Sequence, residues 1–325
     1  RQARRRRRTL WILIVIGLSP AVIWGFVPKE VIETDRTFDP ASIGDDPAAY
    51  LAQQESAFDD ITPGAEKSSY WGAGEGERTD VAIVYLQGFS ATAQEIRPVP
   101  ERVADDLSAN LVFTRLKGHG RGGRAMTSGS VGVWLHDLDE ALAIAEIVGE
   151  RTVIIGTSTG ATIATLALAN GRQADGVILV SPNFRIADPL SFILTLPGAR
   201  AWVPALMGDE RSFEPWNADH ARYWTTSYPT SALFQMAAAV EAARSADHAA
   251  ISTPALFHFA DADTVVDHSV TRQIAGAWGG PAGVNAVELT EGSDPDHHVI
   301  AGDILSPGLN DATVATFAEW ISGLD

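Results

Sequence analysis

Residues 152–169 read TVIIGTSTGATIATLALA and contain the pattern on which the prediction of the fold rests. Four β-branched residues lead into a Gly-x-Ser-x-Gly pattern at 156–160, and a run of small residues typical of a helix follows. Gly156 and Gly160 suit a tight strand-to-helix turn, where side chains two residues either side of Ser158 would collide. The helix that begins at Thr159 points its amino end at the serine and favours negative charge there. The pattern therefore predicts a serine prepared for nucleophilic chemistry at the end of a buried strand.

Short apolar runs alternate with helical stretches on both sides of this turn. Strands buried on both faces that alternate with helices are typical of a mostly parallel sheet in an α/β fold. At 183–247 a segment rich in Pro and Trp interrupts the alternation, and we expect an inserted helical cap over the carboxyl edge of the sheet. The predicted strands are 81–86, 110–116, 152–155, 176–180, 255–259 and 285–289, and the predicted helices include 134–148, 159–169, 231–244 and 312–321.

A serine nucleophile needs a base, and the base needs an acid that orients it. On a sheet with this kind of turn, the chain order is serine, acid, histidine. Asp261, Asp263 and Asp267 follow the fifth predicted strand, where a site residue is expected. His297 and His298 follow the sixth and can reach back over the sheet edge to the serine. The order is satisfied, and the choice within each group stays open at this point.

Further motifs stand in order along the chain: LQGFSAT at 86–92, LKGHG at 116–120, Trp134 with Asp137, GTSTG at 156–160, DTVV at 263–266 and HVIAG at 298–302. With these motifs the chain resembles the serine α/β-hydrolases, in particular bacterial carboxylesterases and monoacylglycerol lipases. The resemblance covers about residues 61–325. It implies an α/β-hydrolase fold, a mostly parallel sheet flanked by helices, with an inserted helical cap.

The resemblance also implies roles for individual residues. Ser158 is then the nucleophile, His298 the general base, and Asp263 the acid that holds the tautomer of the base. The family pattern puts the acid two residues before a pair of valines, which favours Asp263 over the other two aspartates. An apolar residue usually follows the catalytic histidine, which favours His298 over His297.

By the same resemblance, the backbone N–H groups of Phe89 and Thr159 would form an oxyanion hole. Losing one such donor typically costs about 3–4 kcal/mol in the transition state. One position departs from the pattern, because Gln87 stands where families of this kind usually have His. Since the hole uses backbone donors, we expect this difference to change the packing of the loop and not catalysis.

The chain has no Cys, which excludes a disulfide scaffold, a thiolate metal site and a Cys nucleophile. We expect no metal or organic cofactor. Asp294, Asp296, His297 and His298 are close enough in sequence to bind a metal ion, but no second cluster of ligands supports such a site.

His119 lies in a Gly-rich turn and His258 inside a predicted strand, and we expect both to be structural. The aromatic residues of the cap are expected to serve packing, with some lining an apolar acyl pocket. The sequence therefore leaves Ser158, Asp263 and His298 as the best candidates for chemistry.

The amino terminus carries charge opposite to that of the rest of the chain. Six arginines lie within residues 1–8, whereas the net charge of the whole chain is −17. So acidic a body does not suit nucleic acid as a partner. Residues 9–27 are uncharged, and as a helix at ~1.5 Å per residue they span about 28 Å, close to the ~30 Å core of a bilayer. The positive-inside rule then predicts a basic cytoplasmic tail at 1–8, a transmembrane anchor at 9–27, and the rest of the chain across the membrane.

A cleaved signal peptide is the competing interpretation of this segment. Ser19 and Ala21 are the small residues that a cut after Ala21 would need. The apolar run continues beyond that point as far as Val27, which favours a retained anchor. Both interpretations place the body outside the cytoplasm. Residues 28–60 are acidic and predicted to be a spacer before the hydrolase-like domain at 61–325.

These features together predict a membrane-anchored serine hydrolase that cleaves carboxylic esters through an acyl-enzyme. A lipid-like or acyl-glycerol ester is the expected substrate, because the anchor would keep the site near a bilayer. Thioester or amide hydrolysis and perhydrolysis use the same machinery and remain open. The alternative from another class is a membrane-tethered binding protein on a hydrolase scaffold whose catalysis has lapsed.

Overall fold

The computed structural model describes residues 27–324 of the chain. In this range the strands are β1 (Ser68–Trp71), β2 (Thr79–Leu86), β3 (Asn110–Phe113), β4 (Gly149–Thr157), β5 (Gly176–Val180), β6 (Glu210–Ser212), β7 (Ser227–Pro229), β8 (Ala255–Phe259) and β9 (Ala282–Ala286). The helices are α1 (Pro47–Glu55), α2 (Val99–Leu107), α3 (Val131–Val148), α4 (Thr159–Ala169), α5 (Ala199–Met207), α6 (Ala218–Tyr223), α7 (Leu233–Arg244), α8 (His268–Ala277) and α9 (Asn310–Ser322).

The main sheet has seven strands in the order β1–β3–β2–β4–β5–β8–β9. All neighbouring strands are parallel except β1, which runs antiparallel to β3. The central strands β2, β4, β5 and β8 are almost entirely buried, as expected for a parallel sheet covered by helices on both faces. The predicted α/β fold is therefore confirmed.

Successive side chains along a strand point to opposite faces of the sheet, so alternate residues belong to two separate apolar cores. In β2, Val84 and Leu86 join the core under α3, α4 and α7. Ile83 and Tyr85, between them, join the core under α2 and α9. With both faces covered in this way, the carboxyl edge of the sheet is where a substrate can approach the strand ends.

The predicted and observed bounds of strands and helices agree best at the centre of the sheet. β5, β8 and α4 begin and end at the predicted residues. The last predicted strand, 285–289, begins three residues later than β9 and overlaps it at two residues, because β9 is an edge strand that is nowhere fully buried and gives little apolar signal. The sequence did not predict β1, a four-residue edge strand, nor α2 and α8, whose apolar faces are narrow.

Residues 183–247 leave the sheet after β5 and return before β8, where the insertion was expected. They contain α5, α6, α7 and a two-stranded antiparallel sheet of β6 and β7. The last of these helices, α7, packs against α4, and Phe234 and Ala239 join the core beside the sheet. The part of the insertion that covers the strand ends is thus shorter than the predicted cap.

Residues 28–60, predicted to be a spacer, lie against the domain. Ile43 and Leu51 are buried in the core that α3 contributes to. The hydroxyl of Tyr50 donates a hydrogen bond to Glu140 on α3 at 2.8 Å. Apolar side chains spaced through this acidic segment give it a surface to bury, so it packs with the domain and does not stand apart from it.

In the part of the chain that the structure describes, no helix is long and apolar enough to cross a membrane. The basic tail at 1–8 and the predicted anchor at 9–27 lie outside the described residues, apart from Val27. Val27 contacts Gly198, the residue that precedes α5 in the insertion. The chain therefore enters the described domain beside the insertion.

Candidate active site

Ser158 lies between β4 and α4, at the centre of the carboxyl edge of the sheet. Its φ of +52° is a left-handed conformation that residues other than Gly rarely adopt, and it marks a strained turn of the kind that presents a nucleophile. A Cβ at Gly160 would lie 2.3 Å from the carbonyl oxygen of Leu86, and one at Gly156 would lie 2.7 Å from the nitrogen of Ala161. Both positions therefore require glycine for the steric reason inferred from the sequence.

His298 lies between Ser158 and Asp263. Its Nε2 is 2.9 Å from Ser158 Oγ, and its Nδ1 is 2.8 Å from Asp263 Oδ2. The other carboxylate oxygen, Asp263 Oδ1, accepts the backbone N–H groups of Val265 at 2.8 Å and Val266 at 3.0 Å. When Nδ1 carries the proton and donates to Asp263, Nε2 is left to accept the proton of the serine hydroxyl. The three side chains form one hydrogen-bonded chain.

The competing residues lie elsewhere. Asp261 has a side chain that is 54% exposed, and it pairs with Arg272 at 2.6 Å. Asp267 caps α8 by accepting the N–H of Ser269 at 2.9 Å. His297 has a buried Nδ1 without a hydrogen-bond partner among the described residues. The structure therefore brings Ser158 together with neither of these aspartates and not with His297.

Asp294 holds the loop that carries His298, a role that the sequence analysis missed. Its Oδ2 accepts the N–H groups of His298 at 3.0 Å and Val299 at 2.8 Å, and its Oδ1 accepts the N–H of Asp296 at 3.2 Å. Its own N–H donates to Ser306 Oγ at 3.0 Å. The signal that could have found it is the Asp-Pro dipeptide at 294–295, since Asp side chains often accept backbone N–H groups that follow them in turns.

The electrostatics of the site favour a proton on His298. Burial lowers the pKa of His298, but the negative charges of Asp263, Asp294 and Glu95 outweigh burial and leave this pKa above its ordinary value of 6.5. A base with a raised pKa takes a proton more readily in the transition state. The same shift predicts that acid inactivates the site, because a protonated His298 cannot accept the serine proton.

The loop that follows β2 lies against the serine. A Cβ at Gly88 would be only 3.2 Å from Ser158 Cβ, so the backbone of this loop approaches the nucleophile closely. The N–H groups of Phe89 and Thr159, predicted as oxyanion donors, donate no hydrogen bond to an acceptor within residues 27–324. Two unoccupied donors beside a nucleophile are what a developing oxyanion requires.

Gln87 anchors this loop from behind. It is fully buried. In the orientation that satisfies its amide, it donates to the carbonyl oxygen of Thr114 at 3.2 Å and accepts the N–H of Leu116 at 2.9 Å. Its side chain thus binds the backbone after β3, which agrees with the expectation that this position affects loop packing.

Two buried histidines lie outside the hydrogen-bonded chain. His119 packs its ring against Phe89 and Trp134 at centroid distances of 5.5 and 5.9 Å, and burial lowers its pKa to about 4. His258 packs against Phe317 at 4.9 Å, and burial lowers its pKa to about 3. Both stay neutral near pH 7. Within residues 27–324 no group of three or more His, Asp or Glu side chains is arranged to hold a metal ion.

A pocket of about 410 Å³ opens beside Ser158 and His298. Its volume lies in the range of small-molecule sites, which are mostly apolar with a few polar groups. Polar side chains lie among its walls, including Asn183, Arg211 and Glu214. Apolar walls come mainly from the insertion, including its helix α7, among them Ile193, Leu194, Met207, Trp224, Leu233 and Met236.

Among the solved structures similar to this chain are lipolytic enzymes and lipases. One belongs to the metagenome-derived lipolytic enzymes LipS and LipT, with 17% identity, a TM-score of 0.66, and coverage of 81% of this chain and 99% of that one. The monoacylglycerol lipase of Paleococcus ferrophilus has 14% identity, a TM-score of 0.59, and coverage of 80% and 98%. The monoglyceride lipase of Saccharomyces cerevisiae has 12% identity, a TM-score of 0.55, and coverage of 80% and 92%. At these identities the similarity shows the fold.

The sequence itself gives a family. No curated protein matches the chain. A family model does match: Hydrolase_4, described as serine aminopeptidase, S33, aligns with residues 79–283. This range contains β2, the turn at Ser158, the insertion and β8, and it spans more than half of the chain. The protein therefore belongs to this family of α/β-hydrolases.

Proposed function

We propose that the protein hydrolyses carboxylic esters with Ser158 as nucleophile, His298 as general base and Asp263 as the acid that orients it. The observation that carries this proposal is the continuous chain of hydrogen bonds from Ser158 Oγ to His298 and on to Asp263. Nucleophile and base lie within hydrogen-bond reach, and a third group orients the base, which is the geometry that activates a serine.

Acylation begins when Ser158 Oγ forms a bond to the acyl carbon and its proton passes to His298 Nε2. The N–H groups of Phe89 and Thr159 stabilise the oxyanion of the tetrahedral intermediate. The bond to the leaving oxygen then breaks, and His298 gives its proton to the departing alcohol. Asp263 keeps its hydrogen bond with His298 Nδ1 throughout and stabilises the imidazolium.

Deacylation repeats these steps with water. Water gives a proton to His298 and forms the new bond to the acyl carbon, while the bond from that carbon to Ser158 Oγ breaks. The proton returns to Ser158, and the free acid leaves. Neither half of the cycle needs a metal or an organic cofactor.

An apolar acyl group is the substrate feature that the pocket supports best, because its walls are mostly aliphatic and aromatic. Large apolar side chains that line this pocket also reach solvent: Leu190 is 61% exposed and Trp216 54%. Exposed apolar patches of this kind mark surfaces that bind apolar ligands, membranes or other proteins. We therefore place lipid-like esters, including acyl-glycerols, first among the substrates to test.

The proposal includes the cellular location of the enzyme: residues 9–27 anchor it in the membrane, with the catalytic domain outside the cytoplasm. The supports are the uncharged apolar run and the arginines before it. Membrane fractionation, external protease digestion of intact cells and mass spectrometry of the first peptide test it. A chain found free outside the cell and beginning after Ala21 would show a cleaved signal peptide instead. A protease-protected cytoplasmic body would contradict both versions.

The first experiment labels the full-length chain, in mild detergent, with a fluorophosphonate that reacts with activated serines. Peptide mapping should locate the adduct on Ser158, and Ser158→Ala should abolish it. Ser191→Ala is the matched control, because Ser191 lines the same pocket and should leave labelling unchanged. A folded wild-type chain that takes no label would contradict the proposal and favour a binding protein on a hydrolase scaffold.

The second experiment sets the reaction type. Initial rates on ester, thioester and amide substrates that share one acyl group compare the leaving groups directly, and an assay for peracid formation with hydrogen peroxide tests perhydrolysis. The proposal expects the ester to have the largest kcat/KM. A larger kcat/KM on the amide would favour a peptidase or amidase on the same residues, and a larger value on the thioester would favour a thioesterase. A series of p-nitrophenyl esters from acetate to palmitate then measures the acyl length that the pocket accepts.

A further inference from the structure

Glu95 is a buried carboxylate beside the reacting atoms to which the mechanism above gives no role. It lies in a short 3₁₀ helix after the loop that follows β2, which contains Gly88 and Phe89 and is called the oxyanion loop below. Its side chain is 2% exposed. Its Oε1 accepts the backbone N–H of Gly88 at 2.6 Å and the hydroxyl of Tyr85 at 2.7 Å. Gly88 is the residue immediately before Phe89, so the carboxylate holds the peptide next to the proposed oxyanion donor.

The same carboxylate connects the two halves of the oxyanion hole. Tyr85 Oη also lies 3.1 Å from Thr157 Oγ1, and Thr157 immediately precedes the nucleophile. One chain of hydrogen bonds therefore runs from Gly88 through Glu95 and Tyr85 to the turn at Ser158. Such a network fixes the distance between loop and turn, because each donor is buried and costly to leave without a partner.

Both of these hydrogen bonds use Oε1, and Oε2 lies beside Gly88. A Cβ at Gly88 would meet Glu95 Oε2 at 3.0 Å and Ser158 Cβ at 3.2 Å. Gly88 is thus enclosed between the carboxylate and the nucleophile, which explains why glycine is needed there. The carboxylate is separated from the reacting centre by little more than this backbone.

The charge of Glu95 acts on His298. The titratable groups whose state bears on Glu95 are Tyr85, on β2, and His298, on the loop before α9. Burial raises the pKa of Tyr85 well above 10, so this residue remains a hydrogen-bond donor. Burial raises the pKa of Glu95 to about 7, against the hydrogen bonds from Tyr85 and Gly88 and the charge of His298, which lower it. Glu95 therefore changes its charge in the pH range where His298 must be neutral to act.

We propose that Glu95 is a positioning residue that aims the oxyanion loop and, through its negative charge, stabilises the imidazolium that forms on His298. The inference rests on the proposed ester hydrolysis and adds a carboxylate to it. The hydrogen bonds to Oε1 supply the first role, and the buried charge close to His298 supplies the second.

Two substitutions separate the two roles. Glu95→Gln keeps the reach and an acceptor oxygen but removes the charge, so the acid limb of the kcat/KM profile should move to lower pH. Glu95→Asp keeps the charge but shortens the reach to Gly88, so kcat should fall about tenfold to a hundredfold, with the acid limb in place. Glu101→Gln, a nearby carboxylate that pairs with Arg97, is the control and should match the wild type in both.

Each profile is measured on the full-length chain with p-nitrophenyl butyrate, after thermal unfolding has shown that the variant folds. An acid limb that does not move in Glu95→Gln overturns the proposal, whatever happens to kcat, because a purely structural role would give that result. If Glu95→Gln does not fold, Tyr85→Phe replaces it. Losing the Tyr85 hydroxyl raises the pKa of Glu95 further, so Glu95 stays neutral up to a higher pH. The acid limb should then move to lower pH, as in Glu95→Gln.

Failure of this inference is distinguishable from failure of the proposed function. A wild-type chain that neither hydrolyses the ester nor takes a fluorophosphonate defeats the ester-hydrolase proposal. A wild-type chain that does both, while Glu95→Gln and Glu95→Asp keep its kcat and its acid limb, defeats only the role of Glu95.

Discussion

Two groups of buried carboxylates in this protein have opposite kinds of partner. One group lies between α1 and α3 and is paired with lysine and arginine. The other surrounds His298 and receives backbone N–H groups, one hydroxyl and one imidazole. The first group comprises Glu55, Asp137 and Glu140, and the second comprises Asp263, Asp294 and Glu95.

In the first group every carboxylate contacts a fixed cation, either Arg115 or Lys67. Glu55 makes a bidentate pair with Arg115, with both N–O distances at 2.7 Å, and the Arg115 side chain is 2% exposed. Lys67 contacts Asp137 and Glu140. Burial alone would lower the pKa of Lys67, but these two carboxylates outweigh it and raise that pKa. Such a network joins segments of the chain, and each of its carboxylates is held against a fixed cation.

In the second group the charge remains available. Within residues 27–324, neither Asp294 nor Glu95 pairs with a lysine or arginine. All three carboxylates act on His298, a group that can become positive, and they raise its pKa. The comparison shows how one chain uses buried acids in two ways: paired with fixed cations they stabilise the fold, and without them they favour a transient cation.

The strongest test of this contrast is Asp263→Asn. Asn still accepts the N–H groups of Val265 and Val266 but lets His298 adopt the wrong tautomer, so kcat should fall by about 10³–10⁴ while the fold persists. Steady-state kinetics on p-nitrophenyl butyrate measures it. Asp261→Asn, which removes only an exposed partner of Arg272, is the control and should stay within about twofold. Equal losses in the two variants would refute the assignment of Asp263.

The converse test is Glu55→Gln in the paired group. It leaves the guanidinium of Arg115 buried without its counter-charge, so the free energy of unfolding should fall by about 3–5 kcal/mol. Urea unfolding measures this loss, and kcat of the folded fraction should be unchanged. Asp60→Asn also removes the partner of an arginine, Arg121, but at an exposed site, and should cost far less. If Glu55→Gln lost much of its kcat but none of its stability, Glu55 would serve the reaction and not the fold, and the distinction between the two groups would be wrong.

The sequence predicted the central fold because the decisive signals there are local. β4, the turn at Ser158 and α4 occupy 21 consecutive residues, 149–169, so their signals lie close together in the sequence. Gly160 is required by contact with Leu86, a residue far away in sequence, yet the local pattern already implied a collision. β9 and β1 were mislocated or missed because edge strands are only partly buried, and their side chains show little periodicity.

The candidate site was predictable only in part. Asp263 and His298 could be preferred over their neighbours through a family pattern, and no local signal separates them from Asp261 and His297. Asp294 and Glu95 act through tertiary contacts, Asp294 with the His298 loop and Glu95 with Gly88. The spacing of residues in the sequence does not predict these contacts. The packing of residues 28–60 onto α3 was missed for the same reason, since an acidic composition indicated a spacer.

The finest test of the comparison is the pH dependence of stability in Glu95→Gln. The folded-state pKa of Glu95, about 7, lies above its ordinary value of 4.5, so ionising it opposes folding. Its contribution to stability is complete below pH 4.5, is lost as the pH rises towards 7, and changes little above that. The variant has no proton to lose, so its stability relative to the wild type should improve by about 2–3 kcal/mol between pH 5 and pH 8.

Urea unfolding of the variant and of the wild type at the two pH values measures this gain. A variant that is more stable at pH 8 yet slower in ester hydrolysis would mean that the buried charge opposes folding and is retained for the reaction. Equal stability differences at both pH values would mean that Glu95 stays in one protonation state. It would then belong with the carboxylates that hold the fold.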